Sequence, residues 1–426
     1  MKHRTLKKAT FKSLIAGVMI SASLAASAGD AVDIQVTQGS NTATLGFSSL
    51  TDMFDFFNNT STITSVLPWY DTKADSKAVM NNIGITFIFD VSDQGNTVKM
   101  DVPSIGFSQT YAGDRDDSLS RLKEDLKANY GKIQTKLAST TPNSLVAGNP
   151  NSVQTQMAMA QFDMGFAASS SSIVSPTTAA TATTSGAAAG VQSQTSSNLA
   201  GLGLRFGRYS QGDKRIQTAS LPLSYSWRFD DNDDRRRIYL AAPLTAGQLE
   251  NAKIFAAQVA LGVGIPINKE WAVTPVVGYG VTGSVDLLQA SQQVNVSITS
   301  SYTLALGDGY ALSFGNMVGY FATVKLKIKD YESDIDLKNF IFRNGLLYSI
   351  PLKELRMLGE GTTVELSAIN TVFTGSELYA RSMNEIGITI GTDKRARGLK
   401  SYLRAGVSGM FAKDSNGVAV NVGYWF

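Results

Sequence analysis

The chain has 426 residues, with 38 lysines and arginines, 35 aspartates and glutamates, one histidine and no cysteine. The lack of cysteine excludes a disulfide framework and a thiolate-bound zinc ion. The mean hydropathy of −0.03, with no long apolar run after the first 28 residues, excludes a bundle of membrane-spanning helices.

Residues 1–28 have the layout of a secretory signal peptide. Five basic residues and no acidic residue precede a short apolar stretch, and Ala26 and Ala28 form a small-x-small cleavage site. Cleavage removes those five charges and the only histidine, His3, so the mature chain has 33 basic and 35 acidic residues. The formal net charge of +3 therefore belongs to the export signal, and nucleic acid is not expected as a partner.

The segment 29–166 is predicted to be a small α/β unit. Between residues 116 and 138, apolar side chains recur every three or four positions, which predicts one amphipathic helix. The run 153–166 alternates weakly, so a strand remains possible there. Three other runs predict strands, at 33–47, 82–91 and 97–107.

The segment 167–199 differs in composition from everything before it. It is rich in alanine, serine and threonine and carries no charged residue. Such a composition predicts a linker, an exposed loop or a segment inside a lumen.

The remaining chain, 200–426, is predicted to form an antiparallel transmembrane β-barrel. Its segments alternate between apolar and small or polar residues. Many are longer than the about 5–6 residues typical of soluble strands, and they match the about 9–11 residues that cross a membrane. Twelve strands are predicted, centred near 200–209, 215–229, 237–248, 253–267, 271–287, 292–306, 310–327, 338–352, 362–373, 378–391, 400–412 and 418–426. If the upstream strands also joined the wall, the barrel would have about 14 to 16 strands, which are also even counts.

The alternation also predicts which charged side chains line the lumen, because a charge facing lipid costs about 2–4 kcal/mol at the midplane. The predicted lumen charges are Arg205, Arg228, Lys325, Arg343, Glu365, Arg381, Glu385 and Arg404. One interpretation is a set of internal ion pairs, in which Arg381 and Arg404 face Glu365 and Glu385. The other is a pore that favours anions, because six of the eight side chains are basic.

No catalytic, cofactor or metal site is predicted. The sequence GYGVTG at 278–283 fits a dinucleotide-binding pattern, but it lies within a predicted strand and opens no helix. General-base chemistry near neutral pH favours an imidazole, and the mature chain has none. We therefore expect that the protein is not an enzyme.

The end of the chain carries a resemblance to a known family. The signal peptide, the twelve-strand terminal barrel and the final Tyr424-Trp425-Phe426, preceded by Val422, resemble the translocator unit of autotransporters. The aromatic ending is similar to the C-terminal signal for assembly of outer-membrane barrels. With only about 170 residues before the barrel, the chain resembles the solitary autotransporter-type barrels. In that family a helix threads the lumen just before the first strand.

Two functions follow as expectations. The first is a structural, surface-display or translocator-like barrel whose lumen is plugged by its own N-terminal segment. The second is a porin-like channel for small solutes, anionic solutes among them. Both place the protein in the outer membrane of a Gram-negative bacterium, among lipid and lipopolysaccharide. Periplasmic chaperones and the barrel-assembly machinery are its expected partners.

Overall fold

A computed structural model describes residues 30–113, 115–166, 198–229, 236–287, 289–328, 331–393 and 402–426. The predicted signal peptide, with Ala26 and Ala28, and nearly all of the segment 167–199 lie outside the described residues. Within the described residues, no helix is both long and apolar enough to cross a membrane.

The first part of the chain, which we call the N-terminal unit, is a six-stranded antiparallel sheet with helices. The strand order is β2-β1-β3-β4-β5-β6. The strands are β1 (Val32–Gln38), β2 (Asn41–Phe47), β3 (Ser76–Asn82), β4 (Ile85–Ser92), β5 (Thr97–Val102) and β6 (Phe107–Ala112). The helices are α1 (Leu50–Asn58), α2 (Thr60–Val66), α3 (Arg115–Ala128) and α4 (Tyr130–Thr140).

The helix predicted over 116–138 is in fact two helices that meet at Asn129. The Asn129 side chain donates a hydrogen bond to the carbonyl oxygen of Asp125, at 3.0 Å. Asparagine competes in this way with the helical backbone, so it often ends a helix. Helix α1 was not predicted, although Ser49 provides an N-cap by accepting a 2.9 Å hydrogen bond from the Asp52 amide.

The C-terminal part is a closed antiparallel barrel with twelve wall strands. Two of these are interrupted at prolines, which lack the backbone N–H needed for the sheet. The wall consists of β7 (Asn198–Gln211), β8 (Lys214–Leu221) with β9 (Leu223–Arg228), β10 (Arg237–Ala241) with β11 (Leu244–Leu249), β12 (Ala252–Pro266), β13 (Trp271–Ser284), β14 (Gln289–Gly307), β15 (Tyr310–Val324), β18 (Lys338–Met357), β19 (Glu360–Gly375), β20 (Ser382–Thr392), β21 (Tyr402–Ala412) and β22 (Ser415–Trp425). A small hairpin, β16 (Leu326–Ile328) and β17 (Tyr331–Ser333), lies in the loop before β18.

The barrel closes between its first and last strands. Strand β22 pairs with β7, with Tyr424 opposite Leu202. The strands at 33–47, 82–91 and 97–107 belong to the separate six-stranded sheet. The alternative of 14 to 16 wall strands is therefore wrong, and the prediction of twelve is confirmed.

The outer wall of the barrel is apolar. Val296 and Val420 are 53% and 51% exposed, whereas Thr299 and Gln293, which point inward, are fully buried. A closed barrel with aliphatic side chains outside and polar side chains inside has the character of a transmembrane barrel.

The N-terminal unit covers one end of this barrel. The Lys214 ammonium, at the turn after β7, donates to the carbonyl oxygen of Asp30 at 2.8 Å. The Leu50 amide donates to the carbonyl oxygen of Asp286, in the turn after β13, at 2.9 Å. Leu249 and Leu287 of the same rim join the hydrophobic core of the unit. We call this end of the barrel the covered end.

Candidate functional site

A helix fills the middle of the barrel. Helix α5 (Val153–Phe166) contacts β12, β13, β14 and β15 from inside, and almost every residue along it is buried. We call residues 141–166, which comprise α5 and the loop before it, the plug segment. The weak alternation at 153–166 suggested a strand, and that interpretation is wrong. A helix enclosed on all sides needs no single apolar face, so its sequence lacks the helical period.

Glycines in the wall make room for this helix. A Cβ atom on Gly278 would lie 2.5 Å from Nε2 of Gln161, and one on Gly345 would lie 2.7 Å from the Phe166 ring. Gly278 begins the GYGVTG sequence, which therefore serves close packing of strand against helix.

Polar contacts fix the plug segment to the wall. The Ser297 hydroxyl on β14 donates to Oε1 of Gln161 at 2.6 Å. Closer to the covered end on the same strand, Nε2 of Gln293 donates to the carbonyl oxygen of Val146 at 2.9 Å. Because buried polar groups need partners, these bonds set one orientation of the segment in the lumen.

The loop that precedes α5 is held at the covered end. Nε2 of Gln211, at the end of β7, donates to Oδ1 of Asn149 at 3.0 Å. The backbone between β19 and β20 holds a second point: the Ala380 amide donates to the carbonyl oxygen of Gly148 at 3.3 Å, and the Tyr379 amide donates to that of Ala138, near the end of α4, at 2.8 Å. The plug segment is thus held at two places on the rim where it enters the lumen.

Five of the eight predicted lumen charges lie buried inside the barrel. They are Arg205, Arg343, Glu365, Glu385 and Arg404. Arg404 pairs with Glu365 at 2.7 Å, and Arg343 pairs with Glu385 at 3.3 Å. The Arg343 guanidinium also lies 5.1 Å from the centre of the Phe162 ring of α5, which adds a cation–π contact to the plug.

Two predicted lumen charges lie elsewhere, and a third lies at the edge of the lumen. Arg381 precedes β20, is 70% exposed and pairs with Glu377 at 3.7 Å, so its predicted pairing inside the lumen is wrong. Lys325 follows β15 and is exposed at the covered end. Arg228 is half-buried at the last position of β9 and lies on the inward face, opposite Arg237 of β10. The two errors have one cause: alternation predicts the facing of a residue only inside a strand, and Arg381 and Lys325 lie beyond strand ends.

Sequence reasoning missed several buried charges, among them Arg237 and Asp163. Arg237 is 2% exposed at the start of β10 and donates to the Ser226 hydroxyl at 3.2 Å. It was missed because it ends the charged run DDNDDRRR, which reads as a turn. Asp163 is fully buried on α5, and it was missed with the helix that carries it.

The C-terminal residues divide between the two faces of the wall. Val422, Tyr424 and Phe426 are 42%, 40% and 60% exposed on the outer face. Trp425 is 1% exposed and packs inside with Leu199 and Tyr402. The outer aromatic pair stacks with ring centres 5.8 Å apart, at the end of the barrel opposite the covered end.

Two features of the described part of the lumen bear on ligand binding, its metal-binding groups and its free space. Within the described ranges, no group of three or more histidine, aspartate or glutamate side chains could hold a metal ion. Described residues of α5 line two small cavities, of about 20 and 30 Å³. Each has room for a water molecule or an ion of similar size.

Comparison with known proteins gives structural likenesses alone. No protein-family model and no curated protein matches the chain. The β-domain of the Bordetella autotransporter BrkA is 12% identical, with a TM-score of 0.39 over 54% of this chain and 99% of that domain. The translocator domain of NalP from Neisseria meningitidis is 9% identical, with a TM-score of 0.38 over 55% of this chain and 90% of that domain.

An outer-membrane channel from Pseudomonas putida F1 is similar to the same degree. It is 10% identical, with a TM-score of 0.37 over 54% of this chain and 95% of the channel. Translocators and channels are thus equally similar to this barrel, and the likeness carries no argument for either function.

Proposed function

We propose that this protein is an outer-membrane barrel that holds its own N-terminal unit at the cell surface, with the chain threaded through the plugged lumen. The observation that carries the proposal is the position of α5. It leaves the N-terminal unit, enters at the covered end and fills the lumen on the way to the first wall strand.

The direction of α5 supports this path. Near its start, Met157 lies against Gly280 of β13, and near its end, Gly165 lies against Thr274 of the same strand. Residue 280 is close to the covered end and residue 274 is close to the opposite end, because the turn after β13 contacts the unit. The helix therefore descends toward the end of the barrel where β7 begins.

The orientation in the membrane follows from the strand count. An even number of strands puts the start of β7 and the end of β22 at one end, and the Ala200 and Phe426 backbones bond to each other there, at 2.9 and 3.0 Å. In bacterial outer-membrane barrels this end faces the periplasm. The covered end, with its N-terminal unit, would then face the outside of the cell.

The filled lumen favours display over a channel. A pore for anions needs unpaired basic side chains along an open path. Here two of the buried arginines are neutralised by Glu365 and Glu385, and α5 occupies the space between the walls. The proposal assigns no reaction to the protein.

The test uses the fact that the chain has no cysteine. Lys77→Cys places one thiol on the exposed surface of the N-terminal unit, and Lys269→Cys places one in the turn between β12 and β13 at the opposite end. We expect a maleimide on a polymer too large for porins to label Lys77→Cys on intact cells. Lys269→Cys should react only after the outer membrane is permeabilised, and the reverse pattern would refute the proposal.

Conductance separates the display function from the channel function. A plugged twelve-strand barrel should conduct little in a planar bilayer until residues 29–199 are deleted. A porin-like channel should conduct as the full chain. If the full chain passes a steady current with a preference for anions, the channel is the correct function.

A further inference from the structure

We propose that one halide ion, chloride under natural conditions, binds in the cavity between Arg205 of the barrel wall and Asn151 of the plug segment. This inference extends the proposed function, because the ion would tie plug to wall. It rests on the position of the plug segment in the lumen, and it is independent of which end of the barrel faces the outside.

The first step is the isolation of the Arg205 charge. Arg205 is 8% exposed, and its guanidinium contacts the Tyr209 hydroxyl at 3.5 Å and Sδ of Met410 at 4.0 Å. Among the described residues, no carboxylate oxygen lies within 4.0 Å of the Arg205 guanidinium, which is the limit for an ion pair. A buried positive charge is costly unless a negative charge compensates it. Arg343 and Arg404 both have such an ion-pair partner, and Arg205 has none among the described residues.

The second step is the lining of the cavity. Arg205, Asn151 and Tyr209 face a space of about 20 Å³ that no acidic side chain lines. The Asn151 Nδ2 group is buried and makes no hydrogen bond. The Tyr209 hydroxyl accepts from Arg205, so its own hydrogen is free to donate. Three donor groups from wall and plug thus converge on one small volume.

Two hydroxyl groups complete the lining. Ser220 on β8 and Thr245 on β11 share a 2.8 Å hydrogen bond, which uses one hydroxyl hydrogen and leaves the other available. Ser220 lies directly beside Arg205 in the sheet. A site made of a cation and neutral donors selects an anion, because a cation would be repelled and would find few acceptors.

The size of the cavity selects the anion. A space of about 10–15 Å³ holds one water molecule by this measure, so the cavity suits a monatomic halide and is too small for phosphate or sulfate. Asp163 lines a neighbouring cavity, also next to Arg205, and does not line this one. A water molecule would fit as well, but it would bring no negative charge to the Arg205 guanidinium.

The test measures the unfolding of the purified full-length barrel in detergent at constant ionic strength and pH. Replacing sodium gluconate by sodium chloride or bromide should slow unfolding of the wild type at a fixed temperature. The unfolding rate should fall about tenfold when the halide concentration is about ten times its dissociation constant, by mass action. Bromide should also give an anomalous scattering peak between residues 151 and 205 in crystals.

The variants Arg205→Gln and Arg208→Gln form a matched pair. Arg208 lies on the same strand, three residues further on, and is exposed on the outer face. Arg205→Gln should abolish the halide effect and Arg208→Gln should retain it. Should Arg205→Gln not fold, Asn151→Ala should weaken the halide effect several-fold. Unfolding of the wild type that is equal in gluconate and halide, with no bromide peak at the site, would show that water fills the cavity and would overturn the proposal.

Discussion

Glu385 is a carboxylate buried in the barrel interior. Among the described residues, only Arg343 lies within ion-pair distance of it. It is 1% exposed and lies 3.3 Å from Arg343, which is fully buried beneath the plug helix. Pairs of this kind add little net stability when they form, because both charges lose their hydration. Removing one member costs much more, because the other is left buried and alone.

Glu385→Gln should therefore destabilise the barrel by about 3–5 kcal/mol. The change keeps the size of the side chain and removes only its charge, so Arg343 loses its counter-charge without a cavity being created. The measurement is the urea concentration at which the folded, heat-modifiable form of the barrel is half lost.

Glu377→Gln is the control for this prediction. Glu377 also pairs with an arginine, Arg381, at 3.7 Å, but both side chains are about 70% exposed. Exposed pairs contribute little, so its urea midpoint should match that of the wild type. Equal midpoints for the two variants would mean that water reaches Glu385 and that the lumen is less closed than the structure has it.

At the scale of the residue, the sequence predicts which face of the wall a side chain lies on better than it predicts ion-pair partners. Alternation predicted that Arg343, Glu365, Glu385 and Arg404 point inward, and the structure buries all four. It also placed Arg381 among the internal pairs with Glu365 and Glu385, but Arg381 lies before the start of β20 and is exposed. The register between neighbouring strands decides which side chains lie opposite each other. Turn geometry helps to set that register, and the alternating pattern does not reveal it.

At the scale of the element, helix α5 and the wall strands are shaped for each other. Gly315 of β15 faces the lumen directly under the ring of Phe166, and a Cβ atom there would overlap the ring. Small residues at such positions allow a helix to lie close to the wall, and any larger side chain must push the helix away.

Gly315→Leu should displace the plug and raise the conductance of the full chain. Overpacking costs about 1–3 kcal/mol, which is about a 5- to 150-fold increase in the unplugged population. The open probability in planar bilayers measures this. Gly361→Leu is the control, because a Cβ at Gly361 meets no atom within 4 Å. If the two variants conduct alike, α5 does not control the passage.

The wall strands were predictable as elements and the plug was not. All twelve strands were predicted close to their observed positions, because each presents one face to lipid and the other to a polar interior. Helix α5 has no such asymmetry: it carries Gln154, Gln161 and Asp163 among methionines and phenylalanines and is buried all round. Only the tertiary structure reveals that the barrel wall encloses this helix.

The N-terminal unit contains a contact between a strand and a helix that depends on pH. The Tyr111 hydroxyl on β6 donates to Oδ2 of Asp125 on α3, at 2.8 Å. Burial, and then the hydrogen bond to Asp125, raise the pKa of Tyr111 well above its ordinary value of 10.0. The folded unit thus keeps a proton that the unfolded chain loses near pH 10.

The stability of the unit should accordingly fall as the pH rises above about 10. The contribution of Tyr111 is complete below that pH and is lost toward the raised pKa. Tyr111→Phe should be less stable at neutral pH, by about 1.5–3 kcal/mol for a hydrogen bond to a charged group, and should show a flatter decline with alkaline pH. Urea unfolding followed by tyrosinate absorbance between about pH 8 and 11 gives both quantities. An unchanged slope would mean that Tyr111 ionises in the folded unit.

At the scale of the whole molecule, the exposed apolar side chains belong to two parts that are built differently. The N-terminal unit and the barrel both expose aliphatic side chains, but the unit has a buried core of its own. The barrel instead turns many apolar side chains outward, and its interior holds glutamine, serine and charged pairs beside an apolar cluster around α5. If the barrel lies in lipid, equal exposure in the two parts corresponds to two different solvents.

Two valines of nearly equal exposure therefore give the decisive comparison. Val296, near the middle of β14, is 53% exposed, and Val66, at the end of α2, is 51% exposed. Val296→Arg should cost up to about 2–4 kcal/mol and reduce the amount of assembled barrel in the outer membrane, because the charge would face hydrocarbon. Val66→Arg should leave assembly unchanged, because its charge stays in water. The fraction of heat-modifiable protein in purified outer membranes measures both, and equal fractions would mean that the wall around Val296 faces water.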